Sequence, residues 1–352
     1  MATSREIAKL AGVSQATVSR VLLGATNVSD ATRERVERVM AEVGYVPNAQ
    51  ARAMRTNRTR SIGVVTGRIT NPFYPEFLNG LAGSIARADY RMALWTADEQ
   101  ASEAAAVEAI RARLVDGLIF TTATPDSVAL ASAQELGIPV VLANRSLEGV
   151  DCDQVTSNNL EGGALVARYF LGNGRTNAAI VGGRETVSTG WERRQGFIRE
   201  FREAGVDLPE DWSPEVDFLH DAARSAGERL LRSPSHPAAV FCVNDLIAFG
   251  VIDAARRTGT RIPEELWVVG YDDIAMAAWD VFDLTTVRQP IDSMASTAVQ
   301  MLIDRISGDA KEFEHRLFDP ELVIRGSTAR TSAREPAAVD VDELAGDVGR
   351  LT

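Results

Sequence analysis

The chain has 352 residues, 45% hydrophobic and 24% charged, with a formal net charge of −12; this is too long for one compact core, suits two or three domains, and has the balance of a soluble globular protein. No stretch approaches the ~18 apolar residues of a membrane span, and the opening MATSREIAKLAGVS has no apolar signal core, so a cytoplasmic protein is expected. Two cysteines, Cys152 and Cys242, argue against a disulfide framework, and His220, His236 and His315 stand at no metal-ligand spacing, so no metal and no cofactor is expected.

The charge is spread unevenly. Residues 1–60 hold ten Lys/Arg against five Asp/Glu, a surplus of five that leaves −17 on the rest. A basic head on an acidic body points to a polyanion partner for the head alone. SREIAKLAG reads as a helix with Ser4 at its N-cap and Ile7, Leu10 and Ala11 on one apolar face. Gly12 supplies a tight turn. Ser14 can cap a second helix, QATVSRVLL, with Val18, Val21 and Leu22 inward. A third runs from Asp30 to Val43 with Val36, Val39 and Met40 inward, and Gly44 ends it. Three short helices with a glycine turn between the first two make a helix-turn-helix. Gln15, Ala16 and Arg20 lie off the apolar stripe, where such a helix meets base edges in the major groove. Glutamine can bond adenine, arginine can bond guanine, and alanine can touch a thymine methyl. Ser14, Thr17, Ser19, Asn27 and Ser29 suit phosphate contacts. A purely structural three-helix bundle with solvated charges stays open at this point.

EIAKLAGVSQATVSRVL, VSDATRERV and GYVPNAQARAMRTNRTRSIGVV resemble the DNA-binding head of the LacI/GalR family of transcriptional regulators, almost without a gap over the first sixty residues. The family usually has Asn where this chain has Leu23. The linker VPNAQARAMRTNRTR starts on Pro47 and continues in good helix formers, but it is short enough to be marginal alone. The resemblance implies a hinge helix that folds on DNA and drives an apolar wedge into the minor groove, with Met54 at the wedge position. Asn48, Ala51 and Arg55 are the linker's other candidate DNA contacts. On its own composition the segment reads as a plain interdomain linker with one exposed Met.

Beyond residue 60 apolar runs alternate with helical patterns. SIGVVT, RMALWTA, DGLIFTT, PVVLANR, NAAIVGG, AAVFCVND and LWVVGYDD are seven such runs, the signature of βαβ units and parallel sheets. Seven are too many for one small sheet, so two doubly wound lobes are expected. Polar residues gather at the carboxyl ends of these runs, where open α/β sheets bind ligands. No G-x-G-x-x-G follows the first run, and neither a Walker A loop nor a G-x-S-x-G elbow occurs; an enzyme is not expected. A neutral polyhydroxyl ligand suits the polar set better. Arg193, Asn244 and Asp272 supply forked donors and acceptors, and Phe73, Trp279 and Phe218 supply apolar ring faces. Each also has a structural reading: Asp272 as a helix cap, Arg193 in an ion pair with Glu192, Phe73 and Trp279 as core.

ITNPFYPEFLNGL, WERRQGF, FCVNDLIAFGV, VVGYDDIA and LTTVRQP resemble, in order, landmarks of the same family's periplasmic-binding-protein-like core. The resemblance implies an effector grip by Arg193, Asn244 and Asp272, with Asn71 and Phe73 on the facing lobe's first loop. It places Asn144 where a carboxylate is frequent and Phe218 at a stacking position. WDVFDLTTV lacks a usual Pro, and Trp279 is expected at the cleft mouth.

The expected fold is a small all-α helix-turn-helix head (1–45) with a hinge helix (46–60), followed by an α/β core (61–330) of two interleaved doubly wound parallel-sheet lobes. The N-lobe is expected at 61–159 and 290–318, the C-lobe at 160–289 and 319–330. The tail, 331–352, is acidic and broken by Pro and Gly, and reads as disordered. The expected function is a homodimeric transcriptional regulator, a repressor, that binds a pseudo-palindromic double-stranded operator under allosteric control by a small-molecule effector, a sugar or sugar derivative. A sugar-binding solute carrier with no gene-regulatory role is the rival reading.

Overall fold

The computed structural model describes residues 3–22, 25–45, 58–96, 100–183 and 185–328. Asn48, Ala51, Met54 and Arg55, with the rest of 46–57, Leu23 and the tail, lie outside the described residues. The chain divides into two units, residues 1–60 with Leu114–Asp116, and the remainder.

In the first unit, α1 (Ser4–Leu10), α2 (Gln15–Leu22) and α3 (Asp30–Glu42) enclose a small core of Ile7, Ala8, Ala11, Val18, Val21 and Val36. The N-cap of α1 is Thr3, not Ser4. The Thr3 hydroxyl accepts from the Glu6 amide and the Glu6 carboxylate accepts from the Thr3 amide, a reciprocal capping box. Leu10 is 61% exposed, and Ala8 takes the inward place expected of it. Gly12 and Gly44 both have positive φ, which suits a residue without Cβ at the two helix ends. Ser14 caps α2 by accepting from the Thr17 amide at 3.0 Å, as expected.

The second unit holds two sheets. One is six-stranded and wholly parallel, ordered β10-β5-β4-β3-β1-β2. Its strands are β1 (Ser61–Thr66), β2 (Arg91–Thr96), β3 (Gly117–Phe120), β4 (Val140–Ala143), β5 (Asp153–Ser157) and β10 (His315–Phe318). The other is five-stranded, ordered β11-β9-β8-β7-β6. It comprises β6 (Ala178–Val181), β7 (Ala239–Cys242), β8 (Trp267–Asp272), β9 (Thr285–Arg288) and β11 (Glu321–Val323), with β11 antiparallel to β9 and the rest parallel. Each sheet thus takes one edge strand from the end of the chain. Central strands such as Gly117–Phe120 and Ala239–Cys242 are buried on both faces, which is why they read as continuous apolar runs.

Helices cover both sheets: α4 (Phe73–Arg87), α5 (Gln100–Arg111), α6 (Val128–Glu135), α7 (Asn159–Gly172), α8 (Ser188–Glu203), α9 (His220–Arg232), α10 (Asp245–Thr258) and α11 (Ile291–Ser307). The α7–α8 pair is the most tightly joined. A Cβ on Gly163 would lie 1.9 Å from the Arg193 carbonyl oxygen, and one on Gly196 would lie 1.9 Å from that of Leu160. Glycine at both points lets the two backbones touch. That contact fixes the stretch of α8 that carries Arg193.

Candidate functional site

Between the carboxyl ends of the two sheets lies a cavity of about 600 Å³, within the range of small-molecule sites. Of the eight residues expected there, seven line it: Asn71, Phe73, Asn144, Arg193, Phe218, Asn244 and Asp272. Trp279 does not. It follows a short 3-10 turn, Ala275–Ala278, and is 54% exposed. The turn carries its ring to the surface, so the expected place at the cleft mouth is corrected.

Arg193 is the centre of the polar arrangement. It is buried, and its Nε donates to Asn159 Oδ1 at 2.9 Å, while Nη1 donates to the Val243 carbonyl at 2.8 Å and to Asp272 Oδ1 at 3.2 Å. Its guanidinium lies 3.6 Å over the Tyr271 ring, a further attraction for the cation. Glu192, the alternative partner, instead accepts from Asn159 and Ser146. Gln289 donates to the same Asp272 oxygen at 2.7 Å. Burial pushes the Asp272 carboxyl up to about 6, against the pull of Arg193 and the Gln289 bond. Behind it Asp245 is fully buried, bonded by the Thr286 hydroxyl and the Ile274 amide. Burial and the nearby Asp272 charge drive its carboxyl well above the ordinary range. A Cβ on Gly270 would meet Asp245 Oδ1 at 2.2 Å, so this strand position must be glycine for the carboxyl to fit.

The two aspartates of GYDD do different work. Asp272 faces the cavity, whereas Asp273 accepts from Arg288 and Arg325, both at 2.6 Å, and ties the end of β8 to β9 and to the chain after β11. Asn144, Asp272 and Asp273 all have positive φ, a cost concentrated where strands end at the cavity. Asn244 caps α10 through Oδ1, bonded by the Ile247 amide at 2.9 Å. Its Nδ2 is buried and, among the described residues, has no acceptor; a buried donor left unpaired is costly. On the apolar side Phe73 stacks on Phe77, and Gly190 leaves room for the Phe218 ring 3.1 Å from where a Cβ would sit.

Several residues here were not singled out as site residues from sequence. Thr122, Thr124, Ser127, Arg145 and Thr189 line the cavity, and Asn159 and Gln289 brace its charged pair. Arg145 follows the expected Asn144 directly, a signal available in VVLANR; isolated threonines and serines carry none. Among the described residues no group of three His, Cys, Asp or Glu side chains could hold a metal ion, and no helix is long and apolar enough to cross a membrane.

On the first unit Gln15, Ala16 and Arg20 are exposed along α2, and Asn27 and Ser29 are exposed before α3. Thr17 and Ser19 are half-buried. The Gln15 side-chain amide donates to Ser4 Oγ at 3.0 Å, and the Ser14 hydroxyl contacts that of Thr17 at 2.9 Å.

Residues 3–48 match the family model of bacterial regulatory proteins of the lacI family, and residues 167–328 match a periplasmic binding protein-like domain. The chain is 33% identical over 331 residues to the HTH-type transcriptional repressor PurR of Aliivibrio salmonicida, covering 93% of this chain and 99% of that protein. It is 34% identical over 332 residues to PurR of Erwinia tasmaniensis, covering 94% and 97%. Among solved structures it resembles a lac repressor dimer bound to operator and the anti-inducer ONPF, with a TM-score of 0.83 and 25% identity over 93% of this chain and 99% of that one. It also resembles a CelR–cellobiose complex, with a TM-score of 0.73 and 29% identity over 93% and 100%. These relatives are transcriptional regulators. The helix-turn-helix match also decides against a solute-binding protein alone. With a helix-turn-helix in one unit and a polar cavity between the sheets of the other, the chain belongs to the LacI family, as a DNA-binding transcriptional repressor governed by a small molecule.

Proposed function

We propose that this repressor acts as a homodimer in the cytoplasm, where its DNA target is, and binds a pseudo-palindromic operator whose occupancy is set by a sugar or sugar derivative in the cavity. The observation that carries the effector reading is the buried Arg193–Asp272 pair beside the unpaired Asn244 donor, with Phe73 and Phe218 on the apolar side. Such a set matches the hydroxyls and the apolar face of a sugar ring. CelR is solved with cellobiose, and an Enterococcus faecium LacI-family regulator of 28% identity with ribose, which favours the same ligand class here.

Gln15, Ala16 and Arg20 read base edges in this proposal. Ser14, Thr17, Ser19, Asn27 and Ser29 hold phosphates, and Asn48, Ala51, Met54 and Arg55 act from the hinge. The lobe boundaries at 159/160, 289/290 and 318/319 belong to the same proposal. The test is a thermal-shift panel of sugars, sugar alcohols and nucleobases on the full chain, followed by fluorescence anisotropy on an operator selected from random DNA. A ligand at ~100 times its Kd raises stability by about 2.7 kcal/mol. A sugar that stabilises the protein and changes operator affinity is expected. A nucleobase doing so in its place would overturn the ligand class.

A further inference from the structure

The effector carries, we infer, an oxyanion: it is an acidic sugar derivative, bound through Arg145. This rests on the reading of the cavity as the effector site and narrows the ligand within it.

Among the described residues the cavity's inner wall holds three charged side chains, and they do not balance. Arg193 is answered by Asp272 at 3.2 Å, both buried. Arg145, half-buried on the opposite lobe, has no carboxylate within ion-pair distance among the described residues. Its bonds are a 3.4 Å contact to the Thr122 carbonyl and a 3.5 Å contact to the Tyr74 hydroxyl, both longer than an ordinary N–H···O bond. Its Nε is buried and, among the described residues, unbonded. A guanidinium has five donors in a planar fork suited to two oxygens of one anion. Here that fork is held loosely, at the edge of a ligand-sized cavity. The other charged lining residues, Arg68, Asp126 and Asp217, are all exposed at the rim, where water screens them.

The hydrogen-bonding inventory points the same way. Among the described residues Asn244 offers an unpaired buried Nδ2 to the cavity, whereas the buried unpaired acceptor, Gln289 Oε1, does not line it. Against these donors the interior offers one carboxylate, Asp272, with one oxygen already accepting twice. Asn144 stands beside Arg145 as an amide, and among the described residues the cavity's other lining carboxylates, Asp126 and Asp217, are exposed. Unpaired nitrogens on Arg145 and Asn244 at one cavity select a ligand that presents acceptors to them. A carboxylate and a phosphate share that chemistry, and the probes below separate them.

The experiment is calorimetric titration of the full chain with matched sets: glucose, gluconate, glucuronate and glucose 6-phosphate; ribose, ribonate and ribose 5-phosphate. A charge-assisted bond of this kind is worth roughly 10- to 100-fold in Kd. At least one anionic member should therefore bind that much more tightly than its neutral parent. Arg145→Gln should remove the difference, Arg145→Lys should keep part of it, and raised salt should weaken the anion more than the parent. The tighter arm then identifies the carboxylate or the phosphate. Should Arg145→Gln not fold, the lysine variant and the salt dependence decide alone. Neutral parents binding as tightly as the anions, lost in Arg193→Gln but unchanged in Arg145→Gln, overturn the oxyanion and leave the cavity reading standing. A silent panel, or binding that survives Arg193→Gln, overturns both.

Discussion

Asp272 is a carboxylate the fold holds against its preference. Its folded-state value of about 6 lies above the 3.8 of an ordinary aspartate. Between those values the native state binds more protons than the unfolded chain, so this group's contribution to stability falls as pH rises through the window and is level above it. Asp245 is shifted in the same direction and adds to the fall. Asp272→Asn should therefore give a flatter stability curve than wild type from pH 4 to 6, by urea midpoints, and should lose the effector response while still binding operator. Parallel curves for the two proteins would refute the assignment. The cavity was legible in part from sequence for a physical reason. Asn71, Asn144, Asn244 and Asp272 stand at or just past strand ends, where apolar runs give way to polar side chains. Trp279 misled because an aromatic near such an end fits a stacking role, whereas the local turn carries it outward. Arg145 stands at the same strand end as Asn144, but what distinguishes it and Gln289 is their partners across the chain, which spacing does not reveal.

Among the elements, the α7–α8 contact is the most exacting. Gly196→Ala would drive a methyl into the Leu160 carbonyl, backbone against backbone. It should cost about 1–3 kcal/mol or more, read by chemical denaturation, and should weaken effector binding by displacing Arg193. A variant of wild-type stability would show that the helices can part freely. In the first unit, Thr3→Ala removes one half of the α1 capping box and should cost about 1 kcal/mol locally. Native-state hydrogen exchange at the Ile7 and Val18 amides of the full chain would register it. The seven strands read from sequence are those with apolar runs, and each is present. β5 (DQVTS), β9 (TTVR), β10 (HRLF) and β11 (ELV) were not read as strands. They are short and polar, and all four lie at or beside a sheet edge. Only pairing with a distant partner makes them strands.

At the scale of the molecule, a basic head and an acidic body predict DNA affinity that is steeply salt-dependent. Arg20→Ala should abolish discrimination between selected operator and random DNA while leaving far-UV circular dichroism unchanged; retained discrimination would displace the reading helix. The interleaving of the sheets bears on how the chain is made. The six-stranded sheet has five of its strands once Ser157 is synthesised, yet α11, which packs on β3, β4, β5 and α4, begins only at Ile291. Its Leu302 and Ile306 close over Gly117 at the sheet surface. At ~5–20 residues per second on the ribosome, that surface waits roughly ten seconds or more for its cover. A nascent repressor thus shows the cell an open apolar sheet face long before it can sense a metabolite, and its yield should depend on the chaperones that meet it during that interval.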